Sequence, residues 1–373
     1  MSAVSERTLA IDEFLSSAGW SGAERVPLSG DASTRRYFRL QRGRQTALLM
    51  DQPQGAEAPV AGANATPEQR KALGYNAVAR LAGADCARFV AAAEWLRGLG
   101  LSAPAIHAAD PAAGFVLMED LGADLFVDSL AKGADETLLY RGAAEVLAKL
   151  HRVGAPAVLP PDKTLYPYDE LALMAEVELL TEWFLPVALG RRASAAEASE
   201  FRSLWRETLA PLLSAAAVFV HRDYHAQNLM WIPSRNGAAK VGLIDFQDAV
   251  AGSPAYDMIS LVEDARRDVA PAIGRMTVEH YTGAMRAQGT PVEPDAFALA
   301  MAVFAAQRNT KIAGIFARLF RRDAKPRYLA YLPRVWRYLA ADLEHPALAK
   351  LKSWYNRVIP LEARGVPGDG SVA

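Results

Sequence analysis

The stretch VFVHRDYHAQNLMWI, residues 218–232, sets an apolar run on each side of a polar segment in which His221, Arg222 and Asp223 come together and Asn228 follows five residues after Asp223. A solvated loop accepts such residues in any order. A chain that carries them between two runs with the composition of short buried strands holds them at a defined place in its fold. A second segment, KVGLIDFQDAVAGSPAYDMISL, puts Asp245 at the end of another apolar run, VGLI, seventeen residues after Asn228.

The pattern around these segments changes along the chain. With 373 residues, 51% of them hydrophobic, the chain can bury a large core and divides into two lobes rather than one. TLAIDEFLSSAG has apolar residues at helical spacing and stops by Gly22. RVPLSGDASTRRYFRLQRGRQTALLM reads as three short strands turning at Gly30-Asp31 and around Gly43. Residues 51–75 are rich in Ala, Gly and Pro without a clear period and read as a mobile insertion. CARFVAAAEWLRGLG is a glycine-ended helix, GFVLMEDLG an apolar strand running into a polar connector, and from Leu138 onward helices dominate. The expected fold class is α+β: a small sheet-containing N-terminal lobe over residues 1–120, a larger, mainly helical lobe over 121–360, and a flexible tail over 361–373.

The formal charge of −1 and a pI of about 6.6 give no whole-chain attraction to nucleic acid or to an anionic membrane. The single cysteine, Cys86, excludes an internal disulfide and a cysteine-based zinc site and fits a reducing compartment. MSAVSERTLAIDEFLSSAGW lacks a signal pattern, and no apolar run reaches the ~18 residues of a membrane span. The expected location is the cytoplasm.

An Asp, an Asn five residues later and an Asp at the end of a nearby strand are the polar parts needed to transfer a phosphoryl group from ATP, laid out as in the protein-kinase template. In that template Asp223 accepts the proton of the attacking hydroxyl, while Asn228 and Asp245 hold Mg2+ with hard oxygen ligands. His221 reads as a core histidine bracing the loop, with a chemical role as the alternative. Arg222 and Asp257 read as a structural pair. No GxxxxGK[ST] cradle is present.

HRDYHAQN with IDFQD resembles the aminoglycoside phosphotransferase and choline kinase branch of the kinase-like fold, in which the second Asp is not followed by Phe-Gly. SGDASTRRYFRL, LMEDLG, SLVEDARRDV and QRNTKIAGIFARL are similar more narrowly to the bacterial anomeric kinases for N-acetylmuramate and N-acetylglucosamine of peptidoglycan recycling, over roughly residues 25–340. The resemblance implies a two-lobed protein-kinase-like fold, ATP and Mg2+ as cofactors, and an N-acetylated amino sugar phosphorylated at its anomeric hydroxyl. It leaves open another small-molecule kinase of the aminoglycoside, choline or homoserine type, or a catalytically weak binding protein.

SGDASTRR is then either the phosphate-covering turn, through Gly30, Ser33 and Thr34, or an ordinary hairpin turn. Met50 stands where the third strand of the template carries its lysine, so the phosphate charge falls to Arg35, Arg36 or Arg39, with Glu94 a doubtful partner. In LMEDL, the backbone of Glu119 to Leu121 would meet the base edge. The acceptor pocket belongs to the helical lobe. Residues 305–340 hold nine Lys or Arg and one acid, Asp323, which suits an anionic acceptor better than a polycationic aminoglycoside. Arg308, Lys311 and Arg318 lie close to one helix face, as an anion-binding stripe or as a solvated outer face. Glu178, Glu182 and Trp183 are candidates for sugar hydroxyls and a sugar face, Trp183 alternatively for the core. His225, Arg266 and Arg267 complete the candidates.

Overall fold

The computed structural model describes residues 3–28, 35–53, 61–62, 64–80 and 85–367. The chain forms two compact units, neither of them contiguous: Met1–Val146, Pro156–Tyr166 and Ala226–Ala249 make the first, and Leu147–Ala155, Pro167–His225 and Val250–Ala373 the second. A single boundary near residue 120 is therefore not how the contacts divide. The proposed tail from residue 361 begins with an ordered turn, Leu361–Ala363, and residues 368–373 lie outside the described ones.

In the first unit, α1 (Ala3–Ser17) is followed by β1 (Glu24–Leu28), β2 (Arg36–Arg42) and β3 (Gln45–Asp51). α2 (Pro67–Leu73) and α3 (Cys86–Gly98) precede β4 (Ile106–Asp110) and β5 (Phe115–Met118). The five strands form one antiparallel sheet in the order β1-β2-β3-β5-β4. Arg42 pairs with Gln45, so Gly43 and Arg44 alone make the β2–β3 turn, and Gly43 supplies the positive φ of 60° that a two-residue hairpin needs. Alternate residues Ala47 and Leu49 of β3 and Phe115 and Leu117 of β5 pack with Leu40 against Ile11 and Leu15 of α1. Met50, of the opposite parity, is also fully buried, which accounts for an apolar residue there.

The segment expected to lack structure contains α2, capped by a reciprocal Thr66–Gln69 box with Pro67 in its first turn. None of its residues is buried. Its sequence signal is therefore in the cap and not in any apolar period. The Gly30-Asp31 turn lies outside the described residues. α4 (Phe126–Ala131), α5 (Glu136–His151) and the short pair β6 (Val158–Leu159) and β7 (Lys163–Thr164) follow.

The second unit is helical. α6 (Glu170–Leu179), capped by Asp169, runs into a π-helical turn, Leu180–Phe184, and α7 (Leu185–Leu189). That turn falls where Pro186, lacking an N–H, removes the bond that would reach back to Glu182. Then come α8 (Ala195–Leu209), β8 (Val218–Val220), β9 (Leu229–Trp231), β10 (Val241–Leu243) and β11 (Val250–Gly252). β8 pairs with β11 in this unit; β9 and β10 pair with each other in the first. α9 (Pro254–Val262), α10 (Pro271–Ala287), α11 (Pro294–Asp323), α12 (Leu332–Asp342) and α13 (Ala349–Val358) finish the chain. α11, 30 residues and so ~45 Å long, is the axis of the unit and packs on α6, the π-turn, α9 and α12. Gly314 lets its backbone meet that of Leu179, since a Cβ at position 314 would stand 2.4 Å from the Leu179 carbonyl carbon. No helix among the described residues is long and apolar enough to cross a membrane.

Candidate active site

In the helical unit, β8 delivers the chain into His221, Arg222 and Asp223. Asp257, in the first turn of α9, is fully buried and accepts the backbone N–H of His221 at 2.6 Å and of Arg222 at 2.9 Å. Burial pushes its carboxyl up to about 7, against the lowering effect of those two amides. The pairing expected of Arg222 and Asp257 thus runs through the backbone. The Arg222 guanidinium goes instead to Glu176, at 2.6 Å, and lies over the Tyr168 ring at 5.0 Å. Arg222 has φ 74°, a left-handed conformation that costs a non-glycine residue about 1–2 kcal/mol and persists because both ends of the residue are tied. His221 is fully buried, edge-on to Tyr224, as a bracing histidine would be.

Asp223 remains half-exposed. Burial opposes its ionisation, but Lys311, the His225 ring, Arg222 and Arg308 together outweigh it and hold the carboxyl well below the usual carboxylate range. It is a weak base that is always ionised near neutrality. His225 is buried and its Nε2 stands 3.1 Å from Arg266 Nη1. Burial, aided by Arg266, lowers the ring to about 4, so it is neutral and Nε2 accepts.

Arg308, Lys311 and Arg318 of α11 are not a solvated face. Arg308 is 4% exposed and donates to the Glu263 carbonyl at 3.2 Å. Lys311 Nζ lies 2.8 Å from Glu176 Oε1 and 3.1 Å from Tyr256 Oη, so the lysine expected to await an anion already has a carboxylate. Arg318 is half-buried. Of the glutamates on α6, the sequence pointed to Glu178, which is half-buried and offers its carbonyl to Thr181. The residue at the centre is Glu176, fully buried, whose place on the apolar face of α6 was the available signal. Trp183 is half-buried and Glu182 exposed, both within the π-turn. Arg266 and Arg267 are half-buried.

In the first unit, Asn228 precedes β9 and Asp245 follows β10. Leu229 pairs with Leu243, and Ile244 N–H donates to the Asn228 carbonyl at 3.2 Å, so the ribbon brings Asn228 and Asp245 to the same end. Asp245 has φ 63°, and Phe246 behind it stacks on Phe89 at 4.8 Å. Asp245 Oδ1 accepts from Arg35 Nη1 at 3.1 Å and from Gln247 Nε2 at 2.8 Å, while the side chain is 42% exposed. An amide oxygen and an open carboxylate at one ribbon end are a donor set that fits a hard, partly hydrated divalent cation. They do not fit a closed protein cage, and no group of three or more His, Cys, Asp or Glu suited to a metal occurs among the described residues.

The three arginines of the N-terminal strands divide their work. Arg36 pairs with Asp51, Arg39 binds Asp120 at 2.7 Å, and Arg35 reaches Asp245. Each of the three candidates for the phosphate charge thus already faces a carboxylate, and Arg35 is the one that faces Asp245. Glu94 is exposed. In the connector after β5, the Glu119 N–H is taken by the Ala105 carbonyl at 2.8 Å and its carboxylate by Arg235 at 2.5 Å. Any contact of Glu119 with a base edge therefore falls to its carbonyl. Leu121 is half-buried, with a methyl 3.3 Å from where a Cβ on Gly242 would stand. Gly30, Ser33 and Thr34 lie outside the described residues.

The model of the phosphotransferase enzyme family matches residues 24–292. An N-acetylmuramate/N-acetylglucosamine kinase of Caulobacter vibrioides is 44% identical over 367 residues, covering 98% of this chain and 100% of that protein. A kinase of the same name from Pseudomonas aeruginosa is 34% identical, covering 91% of each chain. Among solved structures, a choline/ethanolamine kinase family protein of Mesorhizobium loti superposes with a TM-score of 0.55 at 16% identity, covering 94% of this chain and 99% of the other. A choline kinase of Streptococcus pneumoniae does so at 0.56 and 14%, covering 91% and 100%. At such identities the likeness is one of fold, and the fold is the kinase-like α+β one. With the loop aspartate, the ribbon-end Asn and Asp and a family match over most of the chain in agreement, the chain belongs to the phosphotransferase enzyme family and is a small-molecule kinase.

Proposed function

We propose that the enzyme transfers the γ-phosphoryl group of ATP to the anomeric hydroxyl of N-acetylmuramate and N-acetylglucosamine, giving the sugar 1-phosphates that a peptidoglycan-recycling route requires. The observation that carries the reading is the charge around Asp223: the groups that act on it from α11 and the loop are the cations Lys311, Arg222 and Arg308 together with the His225 ring. Such surroundings repel a polycationic aminoglycoside and accept a neutral or anionic sugar. The near full-length likeness to kinases named for these two sugars supports the same substrate class.

Asp223 accepts the proton of the attacking hydroxyl. A carboxylate so weakly basic cannot remove a proton from an ordinary alcohol in advance. It suffices where the hydroxyl is acidified by the neighbouring ring oxygen and where a loose transition state releases the proton late. Asn228 and Asp245 would hold Mg2+, which when bound neutralises charge on the nucleotide phosphates. Arg35, resting on Asp245, is the cation we assign to those phosphates in place of a strand lysine. Phosphorus NMR of the product tests the position of transfer: coupling of the phosphate to the anomeric proton is expected, and a 6-phosphate signal would reject it.

Specificity for the lactyl carboxylate of N-acetylmuramate falls to Arg266. Arg266 is half-buried, and its Nη1 stands 3.1 Å from Nε2 of His225, two residues after Asp223. Arg266→Ala should raise KM for N-acetylmuramate about tenfold more than KM for N-acetylglucosamine, which has no carboxylate to pair. Equal losses on both sugars would remove Arg266 from this role.

A further inference from the structure

Four side chains converge on one buried carboxylate of the helical unit. Glu176 Oε1 accepts from Arg222 Nη2 at 2.6 Å and from Lys311 Nζ at 2.8 Å. Its Oε2 accepts from Gln307 Nε2 at 3.0 Å and from the Tyr168 hydroxyl. Lys311 and Tyr168 each also meet the Tyr256 hydroxyl, at 3.1 Å. A charge at this depth persists only when it is paired and hydrogen-bonded on both oxygens, as here.

Its partners show what it does. Arg222 directly precedes Asp223 in a left-handed conformation, with its amide fixed by Asp257 and its guanidinium fixed by Glu176. Lys311, the other partner, is foremost among the cations acting on Asp223. We propose that Glu176 is a positioning residue for phosphoryl transfer: by tying Arg222 to Lys311 it fixes the direction of the Asp223 side chain and the balance of charge around it. This rests on the reading of Asp223 as the base.

The groups facing this cluster are Arg222 and neutral His225 from the loop, Arg308 and Lys311 from α11, Asp257 from α9 and the two tyrosines. With Glu176 ionised, one of the three cations is neutralised. A glutamine at that position removes the carboxylate in contact with the buried Lys311 cation and leaves it the charge of Asp223, so a proton is lost from it more readily.

The test uses the full-length enzyme with ATP and N-acetylglucosamine between pH 6 and 10. Glu176→Gln should lower kcat about 100-fold at pH 7 with KM for ATP changed less than about threefold, the size of loss a misplaced catalytic group brings. An ascending alkaline limb should appear in its kcat as Lys311 loses its proton, absent from the parent enzyme and absent again from the double variant E176Q/K311M. Glu176→Asp, which keeps the charge, should regain at least about tenfold over E176Q without the limb. A kcat loss with no new limb makes Glu176 merely structural and overturns the proposal, as does a kcat within about threefold of the parent. Should E176Q not fold, E176D decides: about a tenfold lower kcat at unchanged KM for ATP is expected, and parental kcat overturns the proposal. Asp223→Asn is run alongside, because turnover in that variant would show that the base assignment has failed, whatever the Glu176 variants do.

Discussion

Asp223→Asn should lower kcat by at least about 10³-fold while nucleotide affinity stays within about threefold. The amide keeps the shape of the side chain but cannot take a proton in the transition state, a role worth roughly 10²–10⁴-fold. It also removes the negative charge facing Lys311, Arg222 and Arg308, so the acceptor hydroxyl meets uncompensated cations. Nucleotide binding is expected to survive because the residues assigned to it are held elsewhere than by Asp223: Asn228 and Asp245 by the β9–β10 ribbon and Arg35 by Asp245. Asp245→Asn should behave differently, losing Mg2+-dependent nucleotide affinity as well as turnover. Steady-state rates with calorimetric ATP titrations separate the two. Near-normal turnover in the Asp223 variant would end the base assignment.

Gly314→Ala should cost about 3 kcal/mol of stability or more, an unusually large effect for one added methyl. The new Cβ would meet the Leu179 carbonyl carbon at 2.4 Å, its Cβ at 2.5 Å and its carbonyl oxygen at 2.7 Å. Two of these are backbone atoms, which no rotamer change can move aside, so α11 must shift away from α6 as a body. Lys311 and Glu176 lie three residues before Gly314 and Leu179 on the same two helices, so the shift also draws apart the 2.8 Å pair beside Asp223. A melting temperature lowered by about 5–10 °C and a reduced kcat are expected together. An unchanged melt would show that the two helices do not approach so closely.

What the sequence disclosed and what it hid divide along chain distance. The Asp223, Asn228 and Asp245 spacing was legible because the loop and ribbon that hold these residues are local, and β1–β3 and α3 because each carries its own period or turn residue. α2 was missed since its only signal is a cap at Thr66. Glu176 was missed for the opposite reason. Its partners stand 46 residues away at Arg222 and 131 at Gln307, and no local pattern reports such pairings. Yet it is a charged residue on the apolar side of LALMAEVELL, and a charge placed there is a request for a buried partner. Arg35, Arg36 and Arg39 could not be told apart either, because only their partners Asp245, Asp51 and Asp120 distinguish them.

The discontinuity of the first unit also bears on how the chain matures on the ribosome. Its β9–β10 ribbon bridges Ser102 to Gly242 and Leu125 to Met230, contacts that do not exist while only the N-terminal 146 residues have been made. The sheet can form early, from neighbours in sequence. The unit that carries Asn228 and Asp245 is finished only after Ala249 has emerged, by which time α6 and α8 of the other unit are already synthesised. The two units are therefore interleaved in synthesis, and a truncation at any point between residues 147 and 225 removes part of both.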